Sequence, residues 1–375
     1  MNKSLNSLGL MSGTSGDGVD ASVINSDGKR HYKVLINKYF KYSDEISQNI
    51  YKLKRNINNI EDVKIFSTDI NDLERKITLF HSNVVSEFTK KKDFGIDLIG
   101  FHGQTILHSP KNKYSKQLGD GNLLSQLSKK KVIFNFRQND LFQGGEGAPL
   151  SPIFHQLIVK EKKIDLPVCI LNIGGISNFT LIKDFNQESL ISKDIGPGNC
   201  LIDEWIRRNK KGNYDKNGNL AGQGKTNKLV LDQALDDFEN IPANNLNSFD
   251  VNDFEINFLR GLDLEDGAST ITDFTSKIIA SNLIKIISKH NQNISKIILC
   301  GGGRKNKTLI ERIKRDSHNK LEFQTTDDYK VDGDFVESQA FAFLAIRSFL
   351  KLPISFPNTT GCKLPSTGGV LVKNF

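Results

Sequence analysis

The spacing of apolar and polar positions alternates short apolar runs with amphipathic stretches of helical period. Leu8–Met11, Ala21–Asn25 and Lys33–Phe40 predict consecutive strands joined by tight turns, and residues 44–91 predict helix. Asp97–Phe101 and Val132–Phe136 predict short buried strands, and Val168–Ile173 with Phe179–Ile182 predict a hairpin. The clearest helix is 269–290, where Ile271, Phe274, Ile278, Leu283 and Ile286 recur at spacings of three to five. Lys296–Cys300 predicts a strand and Glu337–Leu350 a helix. The Gly- and Asn-rich stretch 211–225 is expected to be a loop and a candidate lid. Strands alternating with helices place the chain in the α/β class.

One pattern occurs twice. Residues 8–24, LGLMSGTSGDGVDASVI, read strand, small-residue turn, strand; so do residues 168–182, VCILNIGGISNFTLI. A duplicated lobe, each copy offering a glycine turn to a shared cleft, explains the echo; two unrelated hairpins are the plainer alternative. On the first reading the lobes are expected at 1–150 and 151–375.

Charge narrows the function classes. In 375 residues, 51 Lys+Arg against 43 Asp+Glu give +8. The excess is modest and dispersed, which suits anionic ligands and does not predict a nucleic-acid binder. No run approaches the ~18 apolar residues of a membrane helix, and the N-terminus does not read as a signal peptide. Cys169, Cys200, Cys300 and Cys362 form no CxxC, so neither a zinc site nor a disulfide framework is expected. A reducing cytoplasm is the expected location.

The candidate chemistry sits on glycine turns. The first, Gly13-Thr14-Ser15-Gly16-Asp17-Gly18-Val19-Asp20, brings backbone N–H groups and two hydroxyls to where a phosphate would lie. An acid in such a turn makes sense if Mg²⁺ lies between it and the phosphate, which nominates Asp17 as a metal ligand. No Gly-Lys-Ser/Thr follows, so this is not a Walker A loop. An ordinary Gly/Asp hairpin remains the bland alternative. Gly174-Gly175 and Gly301-Gly302-Gly303 offer two more turns, the last between a strand and a helix, where nucleotides dock.

Two carboxylates stand out. Asp194, in DIGPGN, is accessible between small residues and suits a general base, or it is a turn or capping aspartate. Glu337 reads either as a second active-site acid or as the end of an Asp-x-x-Glu capping box. His102, Gln104 and Thr105, in FHGQTILH, suit sugar hydroxyls, and Arg137 suits a substrate carboxylate.

Taken together, these segments resemble the anhydro-N-acetylmuramic acid kinases nearly end to end. The resemblance runs from GLMSGTSGDGVDAS through FHGQTILHSP, NFRQNDLFQGGEGAPLSPIFH, LNIGGISNFT and DIGPGNCLIDEW to LCGGGRKN and ESQAFAFLAIRSFLKLPISFPNTTG. It implies membership of the acetate kinase, sugar kinase, heat-shock chaperone and actin superfamily. That fold has two ribonuclease-H-like lobes, with ATP-Mg and substrate in the interlobe cleft. The implied reaction opens the 1,6-anhydro bridge of anhydro-N-acetylmuramic acid with water and transfers the ATP γ-phosphate to O6. It gives N-acetylmuramic acid 6-phosphate and ADP, as a step of cell-wall recycling.

In that reaction Asp194 would deprotonate the water attacking C1, and Glu337 would stand near the water and the sugar. Gly13–Asp20 would hold the ATP phosphates, and Arg137 the lactyl carboxylate. The resemblance also implies a homodimer. Three positions depart from the family pattern: Gly16 replaces a larger apolar residue, Ile195 a threonine and Ser338 an alanine. Gly16 is expected to loosen the phosphate turn, and Ile195 to remove one polar contact. A kinase for another sugar and an ATP-driven conformational switch are the competing readings. Sugar-dependent ADP release distinguishes them.

Overall fold

In the computed structural model, which describes residues 4–90, 94–240, 248–290, 294, 296–318 and 321–375, the N-terminal apolar runs extend into three strands. These are β1 (Leu5–Ser12), β2 (Gly18–Ser26) and β3 (Tyr32–Lys41), paired antiparallel in sequence order. The predicted helical region is three helices, α1 (Asp44–Asn56), α2 (Ile60–Ile65) and α3 (Ser67–Thr89); residue 91 lies outside the described residues. Ser43 and Asn59 accept hydrogen bonds from the first-turn N–H groups of α1 and α2, restarting the helix at each point. α1 buries Ile46, Ile50 and Leu53 and α3 buries Ile70, Leu73 and Ile77, at the three-to-four spacing of one helix face. Each such side chain contributes about 1.5–3 kcal/mol by leaving water.

β4 (Leu98–Ser109) runs well past the predicted 97–101 because its second half pairs with β5 (Tyr114–Leu118). α4 (Gly121–Ser128), β6 (Lys131–Phe134), α5 (Gln138–Phe142) and α6 (Pro152–Glu161) follow.

The second run of elements begins with β7 (Val168–Ile173), β8 (Ile176–Ile182) and β9 (Ile191–Pro197). After α7 (Cys200–Arg208) comes the expected loop, which is instead partly helical and packed. It contains α8 (Asn219–Gln223), and the buried Asp215 carboxylate accepts from the N–H groups of Leu220 and Ala221. α9 (Lys228–Glu239), α10 (Leu264–Lys289), β10 (Lys296–Cys300), α11 (Lys307–Asp316) and β11 (Glu322–Thr325) complete this run. The chain ends with α12 (Val336–Phe349), α13 (Pro357–Thr360) and β12 (Val370–Val372).

These elements form two compact units. One comprises Met1–Ile164, Phe185–Leu190 and Asp334–Phe375; the other comprises Asp165–Asp184 and Ile191–Gly333. They differ from the contiguous halves 1–150 and 151–375 because α6, Phe185–Leu190 and the C-terminal segment from Asp334, which carries α12, belong to the first unit. The α12 backbone oxygens at Ser338 and Phe341 occupy the space where β-carbons on Gly9 and Gly100 would be. Ser22 and Ser338 share a buried hydroxyl hydrogen bond of 2.7 Å.

The sheets repeat one strand order. The first runs β3-β2-β1-β4-β6 with β12 beyond and β5 paired to β4; the second runs β9-β8-β7-β10-β11. In both, three antiparallel strands are followed by two parallel ones. The fold is mixed α/β with two sheets, and the β1–β2 and β7–β8 hairpins hold equivalent places in it, as the sequence echo predicts. Among the described residues, no helix is long and apolar enough to cross a membrane. All four cysteines are buried free thiols.

Candidate active site

In the first unit, the Gly13–Asp17 turn closes with a Gly16 N–H to Gly13 O bond of 3.3 Å. Thr14, Ser15 and Asp17 are exposed. Val19 is fully buried in the hydrophobic core, so its side chain offers nothing to a ligand. The turn is held from outside by side chains that the motif does not contain. The Gln104 amide donates to Gly13 O at 3.0 Å, the Lys54 ammonium to Thr14 O at 2.7 Å and the Tyr39 hydroxyl to Asp17 O at 3.0 Å. Burial, with Asp17 and Asp20 nearby, raises the Tyr39 pKa and keeps it a donor. The Tyr42 N–H also reaches Asp17 O at 2.9 Å, while its hydroxyl meets Ser12 Oγ at 2.7 Å beside the buried His81.

Gly16, expected to loosen this turn, suits it instead. Its φ is +65°, in the left-handed region, and a β-carbon there would lie 2.8 Å from Ile50 Cγ2.

The expected sugar residues divide. Gln104 is fully buried and engaged with the Gly13–Asp17 turn. Thr105 accepts from the Gln117 amide across the β4–β5 pair at 3.3 Å. His102 is a buried neutral ring. Its desolvation, with Arg137 beside it, pushes its pKa well below the usual histidine value. Nδ1–H donates to Gly103 O at 2.8 Å, so Nε2 accepts from Arg137 Nη2 at 3.0 Å. Arg137 Nη1 donates to Gly147 O at 2.8 Å. The loop of residues 143–149 behind it is fixed by buried Asp140, which accepts from Gly147 N–H and the Thr360 hydroxyl, both at 2.7 Å.

The His102 ring lies 4.4 Å from that of Phe341 on α12. Glu337 is one turn earlier on the same helix face. α12 starts at Val336 with Phe335 at the cap position, and the Phe335 side chain makes no capping hydrogen bond, so Glu337 lies in the first turn of the helix.

In the second unit, three sequence motifs converge on the end of β7. Gly198 N–H and Asn199 N–H bond to Gly175 O and Gly174 O, each at 2.8 Å. A β-carbon on Gly198 would fall 2.3 Å from Gly174 O, so the close approach demands glycine. β10 pairs Cys300 with Asn172, which sets Gly301 and Gly303 directly against Asn172 and Ile173. Arg304, just beyond, donates to Asp327 at 2.6 Å and to Gly301 O at 3.0 Å.

Asp194 lies within β9, not in a turn before a helix. It is buried, and its Oδ2 accepts the Phe249 N–H at 2.9 Å. Successive strand residues face opposite ways, so the neighbouring Ile195 enters the apolar core while its carbonyl accepts from Asn282 at 2.8 Å. An apolar residue there serves packing and leaves the Asp194 face unchanged.

Among the described residues, no three His, Cys, Asp or Glu side chains gather into a metal cage. Exposed Asp17, which accepts the Ser15 hydroxyl at 2.6 Å, is a single carboxylate on the glycine turn. That donor set suits a hard cation held mainly by phosphate oxygens and water.

The chain matches the family described as Anhydro-N-acetylmuramic acid kinase over residues 6–374. It belongs to that family. The protein of that name from Pelagibacter ubique is 54% identical over the whole of both chains. The one from Zymomonas mobilis is 38% identical over 96% of this chain and 98% of its own. Among solved structures, a glucokinase of the ROK family from Streptomyces griseus covers 90% of this chain and 97% of its own at TM-score 0.40 and 10% identity.

Within the anhydro-N-acetylmuramic acid kinase family, the structure accounts for the three expected departures. Gly16 fits its backbone, Ile195 fills the core, and Ser338 finds a partner in Ser22. The supports missed by sequence reading are Lys54, Tyr39, Tyr42 and the Phe249 N–H. Each reaches its motif over 22 or more residues, and no local pattern marks them.

Proposed function

We propose that the chain is an ATP-dependent kinase of 1,6-anhydro-N-acetylmuramic acid that couples hydrolytic opening of the anhydro ring to phosphorylation of O6. The observation that carries this is Asp194: a buried carboxylate that accepts the Phe249 N–H, on the strand that leads into the glycine turns. A carboxylate so fixed suits a general base. It takes a proton from water as the water oxygen bonds to C1. The C1–O6 bond breaks, O6 attacks the γ-phosphorus, and the bond from that phosphorus to the ADP oxygen breaks. Glu337 is the second acid, serving the water and the sugar.

Gly13–Asp20 takes the phosphates, with Lys54 adding positive charge beside the turn. Gly174-Gly175 and Gly301–Gly303 take the rest of the nucleotide. Asp17 would hold Mg²⁺, which neutralises phosphate charge when bound. Arg137, fixed by His102 and Gly147, offers its guanidinium to the substrate carboxylate. The enzyme acts in the cytoplasm as a homodimer, in recycling of cell-wall sugars.

The test is ADP release from purified protein with ATP-Mg, with and without the anhydro sugar, in ¹⁸O-labelled water. Sugar-dependent release with one ¹⁸O in the phosphosugar is the expected result. Release without the sugar, or a phosphosugar lacking the label, would overturn the reading.

A further inference from the structure

The first unit contains a cavity of about 310 Å³ that shares no residue with the proposed active site. Its charged lining is of one sign: Lys29, Arg30, Lys160 and Arg347. Arg347 is only 1% exposed. Its guanidinium donates to Pro353 O at 2.7 Å, to Gly28 O at 3.0 Å and to Gln187 Oε1 at 3.1 Å, all neutral acceptors.

Among the described residues, none of the four cations pairs with a carboxylate. The nearby acids are engaged elsewhere. Asp27 accepts the backbone N–H groups of residues 29–31, and Glu161 faces His31 at 3.5 Å. A buried charge without a counter-ion is costly to the folded state, and an anion in the cavity offsets that cost. Burial also lowers the Arg347 pKa to about 10, leaving it charged at neutral pH.

The walls add a second requirement. Phe343 lies beneath the Arg347 guanidinium at 5.7 Å, and the half-exposed Phe185 lies under the Lys160 ammonium at 5.4 Å. The volume sits at the small end of ligand cavities.

We infer that this cavity binds a small phosphate monoester, its dianion held by Lys29, Arg30, Lys160 and Arg347 and its organic part lying against Phe185 and Phe343. Arg347 is ten residues beyond Glu337 on α12, roughly 15 Å along the helix axis.

The experiment is isothermal titration of the full chain with phenyl phosphate and, separately, with inorganic phosphate. Phenyl phosphate should bind with Kd below about 1 mM, and at least about fivefold tighter than inorganic phosphate. Lys29→Glu with Lys160→Glu should weaken it about tenfold or more. These rim positions lie outside the catalytic machinery, so the test does not depend on Arg347→Met, which also unties Gly28 and Pro353. Undiminished binding by the rim variant would place the anion elsewhere, at a phosphate turn for example, and overturn the assignment. So would equal affinity for the two probes, or no binding of phenyl phosphate.

Discussion

The two units share a strand order but hold their first hairpin turns by different means. At Gly13–Asp17 the turn is polar and exposed, and side chains from β3, α1 and β4 fix it: Tyr39, Lys54 and Gln104. At Gly174-Gly175 the main support is backbone, from the N–H groups of Gly198 and Asn199, with the Asn199 side-chain amide reaching Ile173 O at 3.5 Å. A second contrast accompanies the first. Four histidines of the first unit, His81, His102, His108 and His155, are kept neutral by desolvation, with Arg137 adding to the effect at His102 and His108. The second unit holds Asp194 as its candidate base and, among the described residues, has no fully buried histidine. A turn tied by side chains can be loosened one hydrogen bond at a time, whereas one tied by backbone contact fails as a whole.

The largest effect is expected at Asp194. Asp194→Asn keeps an acceptor oxygen for the Phe249 N–H but removes the base, so kcat should fall by about 10²–10⁴ while ATP binding persists. A variant with wild-type kcat removes Asp194 from the chemistry. Acid should then separate the units. Each buried histidine has a folded pKa below its ordinary 6.5, about 4 at His81 and about 3 at His155. The unfolded chain therefore takes up protons first as pH falls. Their stabilising contribution is complete above pH 6.5 and declines below it, by about 1 kcal/mol for each of these two by pH 5.5. Hydrogen exchange at pH 5.5 and 7.5 should show protection lost in the first unit before the second. Equal loss in both would contradict the contrast.

How far the sequence foretold this follows from the range of each interaction. Strands β1, β2, β7 and β8 and helices α10 and α12 were legible because burial of one face imposes its period on the chain. β5 was not, because Tyr114–Leu118 is polar and owes its strand to pairing with β4. β9 was not, because ISKDIGP carries two charges, a glycine and a proline, yet it pairs with β8. The glycine motifs were legible because close backbone approach needs glycine wherever it occurs. The fixing of Gly13 by Gln104 was not, since a sequence assigns an amide no partner 91 residues away.

Glycine substitutions sharpen the comparison of the turns. Gly198→Ala would force a β-carbon to 2.3 Å from a backbone oxygen that cannot swing aside, and should cost about 3 kcal/mol. Gly13→Ala meets nothing nearer than Ser15 Oγ at 3.9 Å and should alter stability by no more than about 0.5 kcal/mol. Denaturant midpoints measure both. Equal losses would mean that the first turn is as tightly closed as the second.

The smallest effect tests the ties themselves. Gln104 donates one hydrogen bond to Gly13 O, while its own Oε1 is buried without a hydrogen-bond partner among the described residues. Gln104→Leu removes the donor and also the unsatisfied acceptor, so the two changes oppose one another in stability and the melting temperature should barely move. The turn, however, loses its anchor to β4. On the proposed role of this turn in ATP binding, loosening it should weaken ATP binding by the worth of about one hydrogen bond, roughly 1 kcal/mol, which would appear as about a fivefold rise in KM for ATP with kcat little changed. Tyr42→Phe, which breaks the bond to Ser12 on the other side of the turn, should act in the same direction. If Gln104 instead served the sugar, KM for the sugar would rise and that for ATP would stay.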